Sequence, residues 1–221
     1  MVGVPGTLRH GAGGRLIDEA FGFCNPGGAM LRGARARGMA ALPEGREKGR
    51  GMRVSTLVIG GARSGKSRFA QALAEAESGP LVYVATAEAL DGEMADRIAR
   101  HQADRGARWT TREAPHDLAA AIAGVDPGAT MLVDCLTLWL SNRMLAGADL
   151  DAEAHALVAA IGACPAARLV LVSNEVGFGI VPETPLGRAF RDRAGWLNQA
   201  VAAAADRVAL VVAGLPLWLK N

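Results

Sequence analysis

From residue 54 onward, short apolar runs rich in Val and Leu recur at 54–59, 81–85, 130–134, 168–173 and 207–213, each bounded by turn residues. Runs of this length and composition read as strands. Between them, apolar positions recur at helical spacing over 66–77, 92–104, 115–123, 136–146, 151–162 and 186–204. Strands apolar at successive positions are buried on both faces, so their alternation with helices predicts an α/β domain with a mostly parallel sheet covered on both sides. LPLWLK at the chain end has the composition of a further short edge strand, although Pro216 argues against it because proline cannot donate to a ladder. Residues 1–51 show neither period and hold 13 of the 28 glycines, a pattern that predicts disorder. Met52 stands directly before the first strand. The expectation is therefore one domain over 52–221, with 1–51 either sequence upstream of an initiator at Met52 or a flexible tail.

Composition narrows the class. Half of the 221 residues are hydrophobic and 21% are charged, the balance of a soluble globular protein. Aromatic residues make up 5%, so aliphatic side chains must fill the core. The net charge of +2 conceals an asymmetry: residues 1–51 hold eight Lys/Arg against four Asp/Glu, which leaves 16 against 18 in the domain. No basic face for nucleic acid is implied. Cys24, Cys135 and Cys164 are too few and too far apart for a metal knuckle or a disulfide framework, which fits a reducing cytoplasm. No apolar stretch has the length of a transmembrane segment, and the N-terminus lacks a signal core.

The candidate chemistry begins at the end of the first strand. Gly60, Gly61, Ala62, Arg63, Ser64, Gly65, Lys66 and Ser67 match G-x-x-x-x-G-K-[S/T] between a strand and a helix, the phosphate-binding P-loop context. Glycine at 60 and 65 allows backbone amides to converge on phosphate oxygens, and the helix that follows adds its positive N-terminal end. Lys66 can reach the β and γ phosphates, and the Ser67 hydroxyl can ligate Mg2+. Asp134 ends the run Met131-Leu132-Val133, at the strand edge where ligands of open α/β sheets gather. It is either the second magnesium group or a cap of the following helix. Ser173-Asn174-Glu175 ends another strand in the same way and leads into VGFGIVPETP, a substrate contact or a turn. The segment 91–105 reads as a helix on which Arg97, His101 and Arg105 recur four apart on one face with Arg100 beside it, a face for a triphosphate or a solvated surface. His10, His116 and His155 read as surface or helix-end residues.

GGARSGKS, YVATAE, RIARHQADRGARWTTRE, LVDCLTLWLSN, LVSNEVGFGIVPETPLGRAFRD and LNQAVAAAADRVALVVAG, in this order, resemble the bifunctional adenosylcobinamide kinase and adenosylcobinamide-phosphate guanylyltransferase family. The likeness spans residues 53–214 and leaves 1–51 outside. The P-loop is generic, whereas the RHQADR and NEVGFGIVPE segments are specific. The resemblance implies a P-loop NTPase three-layer sandwich, RecA-like. It also implies phosphorylation of adenosylcobinamide by GTP or ATP, then transfer of GMP through a histidine to adenosylcobinamide phosphate. The product would be adenosylcobinamide-GDP, in nucleotide-loop assembly of cobalamin (vitamin B12). By the same resemblance His101 carries the GMP. Ala85, Thr86, Ala87, Gln102, Ala103, Asp104, Arg105, Glu113 and Asp134 line the GTP site with the P-loop, Glu113 or Glu93 orients the imidazole, and the protein is a homo-oligomer, a trimer.

Overall fold

The computed structural model describes residues 53–88, 106 and 108–221. Among them the elements run β1 (Val54–Gly60), α1 (Lys66–Glu75), β2 (Leu81–Ala85), β3 (Trp109–Glu113), α2 (Leu118–Ala123), β4 (Thr130–Asp134), α3 (Leu136–Leu145), α4 (Leu150–Ala163), β5 (Arg168–Asn174), α5 (Pro185–Ala204), β6 (Arg207–Val212) and β7 (Leu215–Lys220). The strands form one sheet in the order β3-β2-β4-β5-β1-β6-β7. Neighbours are parallel except β6 and β7, which form an antiparallel hairpin.

Alternation along the strands explains the layers. Leu57, Ile59, Val82, Val84, Met131, Val133, Leu169 and Leu171 turn to one face and pack with residues of α2, α3, α4 and α5. Val58, Leu132, Val170 and Val172 turn to the other and pack with α1. Because both faces are covered, the strands carry apolar residues at every position, and the three-layer sandwich follows. Aromatic pairs close the α1 side near its margins: Phe69 meets Trp218 edge-on at 6.0 Å, and Tyr83 meets Trp109 at 6.3 Å.

One strand lies outside the sequence pattern, and the edge strand offered at the chain end is present. β3 escaped the apolar pattern because WTTRE is largely exposed, with Trp109 its one large apolar anchor; it is an edge strand paired only with β2. LPLWLK is β7 despite Pro216, which an edge strand tolerates because one side of its backbone needs no partner. The helix expected from residue 115 begins at Leu118, after a bend at Pro115 and His116. The expected helix over 92–104 and the extension 1–51 lie outside the described residues. Among the described residues no helix is long and apolar enough to cross a membrane.

The order of the strands positions the site. β1 connects through α1 on one face and β5 through α5 on the other, although β1 and β5 are neighbours. Connections that diverge to opposite faces open a crevice at the C-terminal ends of the strands between them. The P-loop leaves β1 at that point.

Candidate nucleotide site

Gly60 is buried at the end of β1, and a Cβ there would land on Ser64 Oγ and within 2.7 Å of the Val211 carbonyl. No side chain fits. Gly65 adopts φ 93°, a left-handed conformation that glycine enters without penalty, and its Cα faces Gly214, whose Cα would stand 3.0 Å from an added Cβ. The loop is fastened from behind: Gly214 N donates to the Ser64 carbonyl at 2.8 Å, and Ser64 N donates to the Gly61 carbonyl at 3.3 Å. Lys66 Nζ donates to the Gly61 carbonyl at 3.2 Å, which holds the ammonium over the loop. Ala62 and Arg63 are exposed at its tip, and Ser67 is half-buried in the first turn of α1. Ser64 Oγ is a buried hydroxyl without a partner among the described residues. The result is a loop of exposed backbone that leads into the N-terminal amides of a ten-residue helix with no side-chain cap.

A row of residues continues the site across the sheet edge. Register places Glu113 beside Ala85, Ala85 beside Asp134, and Asp134 beside Val172 of β5, with Asn174 beside Gly60 further out. β4 is separated from the P-loop strand by β5 alone, so about 10 Å of sheet lies between their backbones. Asp134 is half-buried and directly precedes Cys135, the N-cap of α3, which makes no side-chain capping bond. Ser67 and Asp134 offer a hydroxyl and a carboxylate, hard oxygen donors that suit Mg2+ where phosphates and water complete the shell. Among the described residues no three His, Cys, Asp or Glu side chains converge.

Below this row lies a buried polar network. Thr86 is fully buried, and its hydroxyl donates to the Cys135 carbonyl at 2.7 Å while accepting from Cys135 N at 2.8 Å, across the strand end that carries Asp134. Asn142 Nδ2 donates to the carbonyls of Thr86 at 2.9 Å and Pro115 at 3.2 Å. Asn174 Nδ2 donates to Thr137 Oγ1 at 2.6 Å, and Ser173 Oγ donates to Asn198 Oδ1 at 2.6 Å. The Cys135 thiol is pushed up from its ordinary pKa by burial first and by the Asp134 charge second, so it stays protonated and unreactive.

A family described as cobinamide kinase / cobinamide phosphate guanyltransferase (CobU) matches residues 56–219. The chain is 53% identical, over 75% of its length and 96% of the relative's, to the bifunctional adenosylcobalamin biosynthesis protein CobP of Pseudomonas aeruginosa. The proteins named CobU of Escherichia coli and of Salmonella typhimurium are each 44% identical over 74% of this chain and 98% of theirs. The chain belongs to the cobinamide kinase / cobinamide phosphate guanyltransferase family. A solved structure of the P4 protein of bacteriophage phi6 with ADP aligns at a TM-score of 0.37 and 16% identity over 74% of this chain and 52% of that one, too slight a likeness to bear on function.

For a member of this family, the expected site divides in three. Gly60 to Ser67, Ala85, Ala87, Glu113 and Asp134 stand along the C-terminal edge of the sheet. Thr86 stands there too, with its hydroxyl bonded to both backbone groups of Cys135, so its side chain braces the Asp134 strand end. His101, Gln102, Ala103, Asp104 and Arg105, with Glu93, lie outside the described residues. Of the other histidines, His155 is exposed on α4, whereas His116 Nε2 pairs with Glu88 Oε1 at 2.8 Å, a tertiary contact that its position near a helix start did not signal. Ser173 turned inward and Asn174 braces Thr137, so of the three polar residues ending β5 the first two are structural. Sequence reading also missed Gly214, whose only local signal is a glycine at the β6–β7 turn.

Proposed function

We propose that this protein transfers the terminal phosphate of GTP or ATP to the side-arm hydroxyl of adenosylcobinamide, and then joins GMP to the resulting phosphate to give adenosylcobinamide-GDP in cobalamin assembly. The observation that supports it most is the backbone cradle at Gly60–Lys66 with its partnerless Ser64 hydroxyl, at the crevice of a chain of this family. Ser67 and Asp134 would hold Mg2+, which when bound neutralises phosphate charge. Lys66 brings the nearest protein cation to the transferred group, and the amides of the loop orient the nucleotide.

His101 serves the second reaction. Its imidazole nitrogen forms a bond to the α-phosphorus of GTP as the bond to pyrophosphate breaks. A phosphate oxygen of the cobinamide phosphate then attacks the same phosphorus and frees the histidine. One difficult displacement becomes two easier ones. Gln102, Ala103, Asp104, Arg105, Ala87 and Glu113 complete the nucleotide surroundings in this reading. Residues 52–221 form the catalytic unit, working in the cytoplasm, and the trimer implied by the resemblance belongs to the same proposal.

Intact-mass analysis after incubation with GTP and Mg2+ tests the reading, because the expected product is the protein plus one GMP, lost again on adding cobinamide phosphate. A protein that phosphorylates cobinamide but never gains this mass is a simple kinase, and the second half of the proposal fails. A chain beginning at Met52 should keep both activities, since the family match begins at residue 56.

A further inference from the structure

The segment 175–184 joins β5 to α5 and carries an unusual surface. Phe178 is 84% exposed, Ile180 98% and Val181 60%, with Leu186 of the first helical turn at 56%. Single exposed apolar side chains are ordinary on a protein surface, but a cluster in one connection marks a contact. Both stems of the segment are held. Glu175 N donates to the Gly60 carbonyl at 3.1 Å, and its carboxylate accepts from Gly177 N at 2.6 Å. At the other end Arg188 Nη1 donates to the carbonyls of Pro182 at 3.0 Å and Glu183 at 2.7 Å, and Thr184 Oγ1 caps α5 through Gly187 N at 3.1 Å. A Cβ at Gly187 would stand 2.9 Å from Pro182 Cβ, so the chain turns tightly there. The apolar side chains thus project from a fixed frame, which reduces the ordering entropy that binding costs.

The place of the loop selects its occupant. Its first residue is bonded to Gly60, the start of the phosphate cradle, and it leaves β5 where that strand runs beside β1 at the C-terminal edge of the sheet. An acceptor of the terminal phosphate must approach beside that cradle, which itself offers backbone amides and no apolar surface. Cobinamide is a broad macrocycle with apolar ring faces and peripheral methyl groups, and its hydroxyl sits at the end of a short side arm. We infer that Phe178, Ile180 and Val181 seat the corrin ring of the acceptor, so that the side-arm hydroxyl reaches the phosphate held at Gly60–Ser67. This rests on the proposed kinase reaction and assigns its second substrate a location.

The test is the double variant Phe178→Ser with Ile180→Ser. Both side chains are almost wholly in solvent, so the fold should survive, as thermal melting will show. The KM for cobinamide in the kinase reaction should rise about tenfold or more, as loss of two buried apolar contacts predicts. The KM for the nucleotide should stay where it was. A cobinamide KM that does not move, or a nucleotide KM that rises by the same factor, overturns the assignment. So does a changed mass in sedimentation with an unmoved cobinamide KM, which would make the loop a contact between copies of the chain. If the unmodified protein makes no cobinamide phosphate, the functional reading falls and the loop assignment with it. Full turnover by the parent with an unmoved KM in the variant removes the loop alone.

Discussion

The two ends of the sheet are built on opposite rules. At the N-terminal ends of the strands, charged groups close on one another or on backbone. Arg168 Nε meets Glu77 at 2.7 Å, Arg53 Nη1 reaches the Cys164 carbonyl at 2.8 Å, and Ser55 and Asp206 exchange three hydrogen bonds of 2.7–3.0 Å. Thr56 Oγ1 is a buried exception. At the C-terminal ends groups are left over: the buried Ser64 hydroxyl, the first-turn amides of α1 and the apolar side chains of 178–181. The first end serves stability and the second serves ligands. Substitutions should therefore separate, with activity lost at one end and stability at the other.

The largest effect expected at the ligand end is that of His101→Ala. Alanine has no atom to carry GMP, so the adduct should vanish in intact-mass analysis while phosphorylation of cobinamide continues and its product accumulates. An adduct that persists would place the nucleophile elsewhere. Next comes Lys66→Ala. Removing the cation nearest the transferred phosphate should lower kcat/KM of the kinase reaction by around three orders of magnitude. The melting temperature should scarcely change, because the hydrogen bond from Lys66 to the Gly61 carbonyl is a half-buried contact within its own loop. A large loss of stability would break the contrast between the two ends.

How far the sequence could be read follows the same division. The cradle was legible because phosphate binding needs glycine, lysine and serine within eight consecutive residues, and five parallel strands were legible because burial on both faces demands apolar runs. β3 was not, since WTTRE has one large apolar residue and its strand character depends on pairing with β2. The supporting network was not legible either. Thr86 meets Cys135 49 positions away, Asn174 meets Thr137 37 positions away, and Gly214 backs a loop that ends far upstream. Local pattern cannot tell a hydroxyl aimed at a ligand from one aimed across the sheet, and the Thr86 hydroxyl is bonded across the sheet to Cys135.

Thr86→Val sharpens the comparison, because it sits at the ligand end but is bonded like a residue of the other end. Valine keeps the shape and removes both hydrogen bonds to Cys135, leaving its buried N–H unsatisfied while the carbonyl keeps its bond from Trp139 N. That should cost roughly 1–3 kcal/mol in urea denaturation. Kinase activity should fall as well, through the loosened strand end that carries Asp134. A variant with full stability and impaired nucleotide binding would instead make Thr86 a direct ligand contact.

The smallest effect belongs to the closed end, in Asp206→Asn. Partial burial alone pushes the Asp206 carboxyl up, but hydrogen bonds from Ser55 and the charges of Lys220 and Arg207 outweigh it and hold the group below the ordinary 3.8. A carboxyl depressed on folding contributes stability that is present above its unfolded pKa and lost as pH falls through its folded value. At neutral pH the variant should therefore be less stable by about 1 kcal/mol at most, given the exposure of the pair, a shift of about 2–4 °C in Tm. That gap should hold down to about pH 4 and narrow below it, as Asp206 in the parent takes up its proton. Both transfer activities should be untouched, since the clamp lies at the opposite end of β1 from Gly60. A loss of activity at neutral pH without a change in Tm would show that the two ends of the sheet are coupled.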